Sequence, residues 1–410
     1  MDSQALLSKQ DDTKLHVVMF PWLAFGHMIP YLELAKLIAQ RGHRVSFVST
    51  PRNIDRLPKL PSNVAPFISF VKLPVPHVPN LPENAESTTD VPYNKVQFLK
   101  IANDLLQEPM ARFLDASAPD WVLHDFAPYW LGPIAAKLGI SCSFFSIFNA
   151  PTLGFLASGG REDRTDDEHF TVSPKWVPFP SRVAFRFFEI KKIFESVEGD
   201  GSGVSDLYRL SAGIRGCDLL AVRSCFELEH EWLRLLEQLH RQSVIPVGSR
   251  GGVHDLGAST QDTDSRLHRW LLESFRWSSV VEALHLARPL ILLTFLADQG
   301  LNASILQEKK MGYLIPRNDR DGSFTRDSVA HSLSLVVLEE EGKIYRDKAK
   351  EMKGVFGDRV RQNEYVDNFL SCLQAHRQIH KAKTPTQANG IHTVERSRDP
   401  MADDDSSKPR

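Results

Sequence analysis

The sequence predicts an α/β protein on a parallel sheet, arranged as two units. Three observations carry this. The chain opens as strand, loop, helix, strand, and its first strand is apolar without alternation, as a strand buried on both faces requires. Short apolar runs then alternate with helical spacing as far as residue 248, the pattern of repeated βαβ units. At 410 residues the chain is longer than one core usually serves.

Taken in order, Leu15 to Phe20 is the first strand. A helix over Pro30 to Arg41 follows, with Leu34, Ala35, Leu37 and Ile38 on its apolar side and Gly42 at its end. Arg44 to Ser49 and Phe67 to Leu73 are strands, and the Pro-rich, polar stretch Pro74 to Pro92 is a loop. Lys95 to Ala111 reads as one helix, Trp121 to His124 as a strand, Leu131 to Leu138 as a helix and Cys142 to Ser146 as a strand. Residues 151–205 look irregular. A late strand, Leu219 to Arg223, precedes a helix over Phe226 to Leu239, and Val244 to Gly248 closes the first unit.

The domains are therefore a flexible N-terminus at 1–13, a first unit at 14–248, a linker at 249–265, a second unit at 266–380 and a disordered tail at 381–410. The linker rests on Gly, Ser, Thr and Asp, the tail on polarity without periodicity. The second unit holds a helix at Ser279 to Leu286, a strand at Leu290 to Thr294, and helices within 299–311, 325–341 and 343–375. One convincing strand is thin for an α/β domain.

Composition narrows the function. Hydrophobic residues at 42% and charged residues at 24% are ordinary for a soluble globular protein, and a net charge of −2 gives no field for nucleic acid or an anionic membrane. Cys142, Cys217, Cys225 and Cys372 have no metal-site spacing, which suits reduced thiols. Met1 to Thr13 lacks an apolar signal-peptide stretch, and the longest apolar run, Pro289 to Ala297, is too short to cross a bilayer. The expectation is a cytoplasmic monomer without a transmembrane segment.

The loop after the first strand, PWLAFGHMIP, lies where open parallel sheets bind ligands. It has one glycine and so is not a dinucleotide loop. It offers His27, whose imidazole can take a proton from a hydroxyl near neutral pH. Asp125 ends the strand WVLH and could orient that imidazole. Asp120 is a rival, but it precedes the strand and belongs at the opposite edge. The plainer readings are a polar surface histidine and an aspartate that only caps the next helix.

Three segments resemble a known family. GHMIPYLELAKLIAQRGHRVSFVSTP resembles the N-terminal motif of plant family 1 UDP-glycosyltransferases, PDWVLHDFAPYW their segment with the activating aspartate, and VVEALHLARPLILLTFLADQGLNA the second half of their C-terminal signature box. The resemblance covers Lys14 to about His376, and the wording near FPWLAFGHMIPYLELAK is most like the sugar-on-sugar branch that includes UDP-rhamnose rhamnosyltransferases.

The resemblance implies a GT-B fold, with two Rossmann-like domains facing a cleft and the C-terminal one shortened. It implies that His27 deprotonates an acceptor hydroxyl, that Asp125 stabilises the imidazolium, and that transfer from the UDP-sugar inverts the anomeric carbon without a metal. The UDP-sugar is a co-substrate, so no cofactor is expected. Carried over by position, Trp277 would help form the sugar pocket and Ser278 is part of the same box. Ser279 would sit near phosphate, Glu282 near the ribose, and Asp298 and Gln299 at the sugar hydroxyls.

The earlier part of the box is absent. Trp270-Leu271-Leu272 is followed almost at once by Arg276-Trp277, Ser274 stands where the family has its diphosphate histidine, and no uracil-binding Trp-x-x-Gln precedes it. Two readings from different classes follow: a UDP-glycosyltransferase with reduced turnover, or a non-catalytic relic or skipped-exon product that keeps only acceptor binding. A nucleotide-dependent oxidoreductase is disfavoured, because no GxGxxG follows any strand. An unfinished second sheet would also leave an exposed apolar face around Leu290 to Phe295.

Overall fold

The computed structural model describes residues 13–156, 166–197, 201–249, 277–295 and 298–383. The expected linker beyond Ser249, Trp270, Ser274 and the tail beyond Lys383 lie outside them.

In chain order the elements are β1 (His16–Phe20), α1 (Phe25–Ala39), β2 (Arg44–Ser49), α2 (Pro51–Arg56), β3 (Ile68–Lys72), α3 (Val96–Asp104), α4 (Gln107–Ser117), β4 (Trp121–His124), α5 (Leu131–Leu138) and β5 (Ser141–Ser146). Then come α6 (Ala150–Leu156), α7 (Phe187–Val197), α8 (Asp206–Arg215), β6 (Leu219–Val222), α9 (Phe226–His240) and β7 (Ser243–Pro246). The second part holds α10 (Trp277–His285), β8 (Leu290–Leu292), α11 (Gln299–Glu308), β9 (Gly312–Leu314), α12 (Arg326–Val337), α13 (Lys343–Phe356) and α14 (Arg359–Lys383).

The first seven strands form one sheet in the order β3-β2-β1-β4-β5-β6-β7, and each pairing is parallel. Side-chain alternation explains the unbroken apolar runs. Val17 and Met19 of β1, with Trp121 and Leu123 of β4, face one layer that contains α1 and α14. Val18, Phe20 and Val122 face the other, where Leu106, Met110, Leu114, Leu131 and Ala135 pack. Each strand thus fills two cores at once.

Sequence and structure differ at identifiable points. The first helix begins at Phe25, five residues before its expected start, because the Ala24 carbonyl accepts from the backbone N–H of both His27 and Met28. The single helix expected over 95–111 is two, α3 and α4. Pro109 has no N–H to give and fits only the first turn of a helix, so the second begins at Gln107. The span 343–375 also divides, at Gly357-Asp358. Asp358 Oδ1 accepts from the backbone N–H of Val360 (3.0 Å) and Arg361 (3.1 Å), which caps a new helix. The stretch 151–205 carries α6 and α7, and α8 follows it. β8 gains a parallel partner in β9, with Leu290 opposite Gly312.

The last helix, assigned by sequence to the second unit, lies on the first. Val366, Phe369, Leu370 and Leu373 join the core of α1 and β1, and Trp121 Nε1 donates to the Leu373 carbonyl (3.1 Å). The second part also shares a core with the first: Trp277, Val280, Val281 and Leu284 of α10 pack in one cluster with Leu228 and Trp232 of α9 and Met352 and Phe356 of α13. The Leu290–Phe295 segment is largely covered. Leu292 and Thr294 are buried, Leu290 and Ile291 half-buried, and Phe295 exposed.

Candidate active site

β1 and β4 are neighbours, with Phe20 opposite His124, so the residues that follow each strand meet at the carboxyl edge of the sheet. Asp125 and the first turn of α1 meet there. His27 Nδ1 lies 2.7 Å from Asp125 Oδ2, and the same oxygen accepts from the Trp22 backbone N–H (2.9 Å). The carboxylate is 2% exposed and His27 is 9% exposed. A carboxylate oxygen accepts only, so the hydrogen on that ring edge sits on Nδ1 and the basic pair of neutral His27 is on Nε2. Phe126 and Phe148 wall the imidazole at ring-centroid distances of 5.7 Å and 5.9 Å.

Asp120 is at the other edge. Its Oδ2 accepts from the His16 backbone N–H (2.8 Å) and its Oδ1 faces Arg377 (3.3 Å), so it joins the start of β1 to α14.

The later candidates gather in two groups. Trp277 is 3% exposed and its Nε1 donates to the Arg223 carbonyl (3.1 Å), while Arg223 Nη1 donates to Ser278 Oγ (2.6 Å). Ser279 follows in the first turn of α10. Glu282, about one turn on, faces the same guanidinium. Burial raises its carboxyl to about 7, with Arg223 opposing and Glu33 of α1 adding to the rise. Burial also lowers Arg223 to about 10, against the pull of Glu282 and Glu33.

Asp298 and Gln299 form the second group, at the start of α11. Asp298 Oδ2 accepts from Asn302 Nδ2 (2.7 Å), and Gln299 Oε1 accepts from the Phe295 N–H (2.8 Å). Asn302 Oδ1 in turn accepts from Asn149 Nδ2 (2.8 Å), and Asn149 follows Phe148, which touches the His27 ring. The second part therefore reaches the His27 site through the β5–α6 loop.

Sequence reasoning overlooked Arg223, Glu33, Asn149 and Asn302. Arg223 carried a usable signal: a charged residue immediately after a buried strand, the same placement that singled out Asp125.

In structure the chain is similar to UGT89C1 of Arabidopsis thaliana complexed with UDP-L-rhamnose, at a TM-score of 0.63 and 17% identity over 88% of this chain and 99% of that one. It is equally similar to UGT2 of Phytolacca americana complexed with UDP-2-fluoro-glucose and pterostilbene, at a TM-score of 0.64 and 17% identity, with the same shares covered. The fold is accordingly that of the GT-B plant glycosyltransferases.

In sequence the chain is 44% identical to UDP-glycosyltransferase 91A1 of Arabidopsis thaliana, over 90% of this chain and 98% of that protein, and 32% identical to soyasaponin III rhamnosyltransferase of Glycine max, over 92% and 99%. No protein-family profile matches. The chain belongs to the plant UDP-glycosyltransferases. The alignment with 91A1 runs over 464 positions, more than this chain has residues to fill, so many positions of that relative have no counterpart here. Among the described residues no helix is long and apolar enough to cross a membrane.

Proposed function

We propose that this chain transfers glucose or rhamnose from a UDP-sugar to a hydroxyl of a plant secondary metabolite or its glycoside, with inversion. The carrying observation is the His27–Asp125 pair, buried at the carboxyl edge of the sheet with Nδ1 committed to the carboxylate. His27 Nε2 takes the acceptor proton as the oxygen attacks the anomeric carbon, UDP departs with the bonding pair, and Asp125 stabilises the imidazolium. Proton transfer and displacement here need only the two substrates, and the chain acts as a cytoplasmic monomer.

A second reading, an acceptor-binding protein with little turnover, is favoured by a specific observation. The Trp277 indole and the Ser278 hydroxyl are already engaged by Arg223, and Trp277 is packed inside the shared core rather than on an open wall.

One assay separates the two. The purified chain is incubated with UDP-glucose or UDP-rhamnose and a set of flavonoid and triterpenoid glycosides, and products are followed by mass spectrometry beside His27→Ala. The first reading expects product with the parent chain and a loss of roughly 10²–10⁴-fold in the variant. Acceptor binding without product supports the second, and equal turnover by His27→Ala places the base elsewhere.

A further inference from the structure

Close to Asp125, through the neighbouring His124, three reactive side chains share one small volume. They are His124, Cys142 and Cys217, whose ligand-type atoms all lie within 4.8 Å of one another. Cys142 Sγ is 3.1 Å from Cys217 Sγ, and Cys217 Sγ is 3.2 Å from His124 Nε2. The mechanism above uses none of them.

The local folding explains the meeting. Cys142 lies in β5 and Cys217 in the turn before β6, and Cys142 and Asp218 exchange two hydrogen bonds across that gap: Cys142 N–H to Asp218 Oδ2, and Asp218 N–H to the Cys142 carbonyl, both 2.8 Å. The turn is held close because Gly132 of α5 packs directly on Gly216. A Cβ at Gly132 would come 2.3 Å from the Gly216 carbonyl oxygen, so only glycine fits. His124 is oriented from the other side. Its Nδ1 is 2.8 Å from the Asp125 carbonyl, which can only accept, so Nδ1 carries a hydrogen and Nε2 is aimed at the Cys217 sulfur.

Two further observations bear on reactivity. A cavity of about 160 Å³, large enough for a molecule the size of peroxide, is lined by Cys142 together with Gly132, Ile140, Gly216 and Asp218, and Cys142 as a whole is 2% exposed. Burial works against the Cys142 thiolate, but the Cys217 thiol and the His124 ring outweigh it and bring Cys142 down to about 6, while burial and Cys142 itself hold Cys217 well above the usual thiol range. These opposite directions suit an attacking and a resolving cysteine.

We propose that Cys142 and Cys217 form a peroxide-sensitive dithiol site that closes to an intramolecular disulfide. The Cys142 thiolate attacks one oxygen of hydrogen peroxide, the O–O bond breaks, and the departing hydroxide takes a proton to leave as water, giving Cys142 sulfenic acid. Cys217 sulfur then attacks Cys142 sulfur, the S–O bond breaks, and the leaving hydroxide takes the Cys217 proton by way of His124 Nε2. Overall two thiols and one peroxide give one disulfide and two waters. The site stands apart from the glycosyl-transfer reading, since neither sulfur takes part in that chemistry.

The test treats the folded full chain with hydrogen peroxide, blocks remaining thiols with iodoacetamide in denaturant, and digests without reduction for mass spectrometry. Of the four cysteines, two should become unavailable to the blocking reagent, with residues 142 and 217 recovered in one cross-linked peptide pair that dithiothreitol separates. Cys372→Ser removes the exposed thiol and should leave that loss unchanged. Cys217→Ser removes the resolving partner and should let dimedone trap a sulfenic acid on Cys142, a readout that does not need a disulfide to form. Oxidation confined to Cys372, or Cys142 and Cys217 both fully alkylated after the treatment, would overturn the proposal. So would a tightly held zinc ion found on the isolated chain that shields both thiols from peroxide.

Discussion

Asp125 shows how much one carboxylate oxygen can fix. Its Oδ2 receives the His27 Nδ1–H and the Trp22 N–H together, so it sets the ring's tautomer and ties the loop after β1 to the end of β4. Asp125→Asn keeps one accepting oxygen for these donors but removes the negative charge that stabilises the imidazolium. In a chain given the segment of the 91A1 relative that has no counterpart here, turnover should fall by about 10³–10⁴-fold with acceptor affinity little changed, because the forming imidazolium loses its counter-charge. Steady-state kinetics check this, and a normal kcat would show that the pair does not serve the chemistry. Glu229 is a different kind of buried carboxylate. Its Oε2 accepts from the Ala150 N–H (2.9 Å) and the Ser224 hydroxyl, yet Oε1 has no hydrogen-bond partner, and burial lifts the group to about 7. A carboxyl raised on folding binds more protons in the native state, so its contribution is full below the unfolded value near 4.5 and is lost as pH rises to about 7. Glu229→Gln keeps an accepting oxygen and cannot ionise. The variant should therefore gain on the order of 1–3 kcal/mol over the parent at pH 8 and nothing at pH 4.5, as read from urea unfolding at the two pH values. His27 and Asp125 were legible in the sequence because Asp125 sits directly beyond a buried strand and His27 in the loop-to-helix segment that follows another. Glu229 was not, since a glutamate in an amphipathic helix gives no sign that Ser224 and the start of α6 will close over it.

At the scale of elements, α14 behaves as part of the first unit. Phe369 and Leu373 are fully buried against the α1 layer, and Arg377 reaches Asp120 and the Lys14 carbonyl (2.9 Å). Phe369→Ala removes a whole ring from that core and should cost about 3–5 kcal/mol, lowering the urea midpoint of the sheet's unfolding. A loss below about 1 kcal/mol would mean that α14 rests on the first unit without stabilising it. Arg209 in α8 offers a second test. Its fully buried guanidinium makes two bonds to Asp104 of α3 (2.7 and 2.6 Å) and stacks over Tyr129, with 5.2 Å from Cζ to the ring centroid. Removing Arg209 leaves the Asp104 carboxylate, whose side chain is 22% exposed, without its partner, so Arg209→Ala should cost about 3 kcal/mol, and the double change Arg209→Leu with Asp104→Leu should cost less than the single one. The strands were readable because a strand buried on both faces leaves an uninterrupted apolar run, whereas their order came only with the structure. Helix limits were harder. Pro109 and Asp358 mark breaks that apolar spacing alone runs through, and α7 hides in a stretch dominated by charge, although Phe187, Ile190, Ile193 and Val197 have helical spacing. β9 is three residues long and has meaning only as the partner of β8.

At the scale of the whole molecule, the first half is a complete seven-stranded sheet with helices on both faces, while the described second half pairs two strands of three residues each. The second half is not left bare, because α10 packs on α9 and α13 and shares the core of the first. That packing changes what the remaining box residues can do. In the family resemblance Trp277 belongs to the sugar pocket and Ser279 to the phosphates; here Trp277 is enclosed, and the Ser278 hydroxyl beside Ser279 is bound by a buried Arg223. Glu282 faces the same arginine, and its carboxyl is raised to about 7. Holding UDP would then require α10 to give up contacts that stabilise the fold, in addition to the diphosphate histidine and uracil platform that the family resemblance implies are lacking. One charge-assisted hydrogen bond is worth about 1.5–3 kcal/mol and an aromatic stack about 0.5–1.5, so their loss alone weakens binding by roughly two to three orders of magnitude. Calorimetric titration of the chain with UDP should accordingly show no saturation below about 1 mM, near −4 kcal/mol. Inserting the segment of the 91A1 relative that has no counterpart here should rebuild the sheet beside β8 and β9, free α10 from Arg223, and tighten binding into the micromolar range. A dissociation constant of a few micromolar for the unaltered chain, about −8 kcal/mol, would instead mean that Arg223 has taken over the role of the absent histidine. Arg223→Ala would then have to abolish the binding.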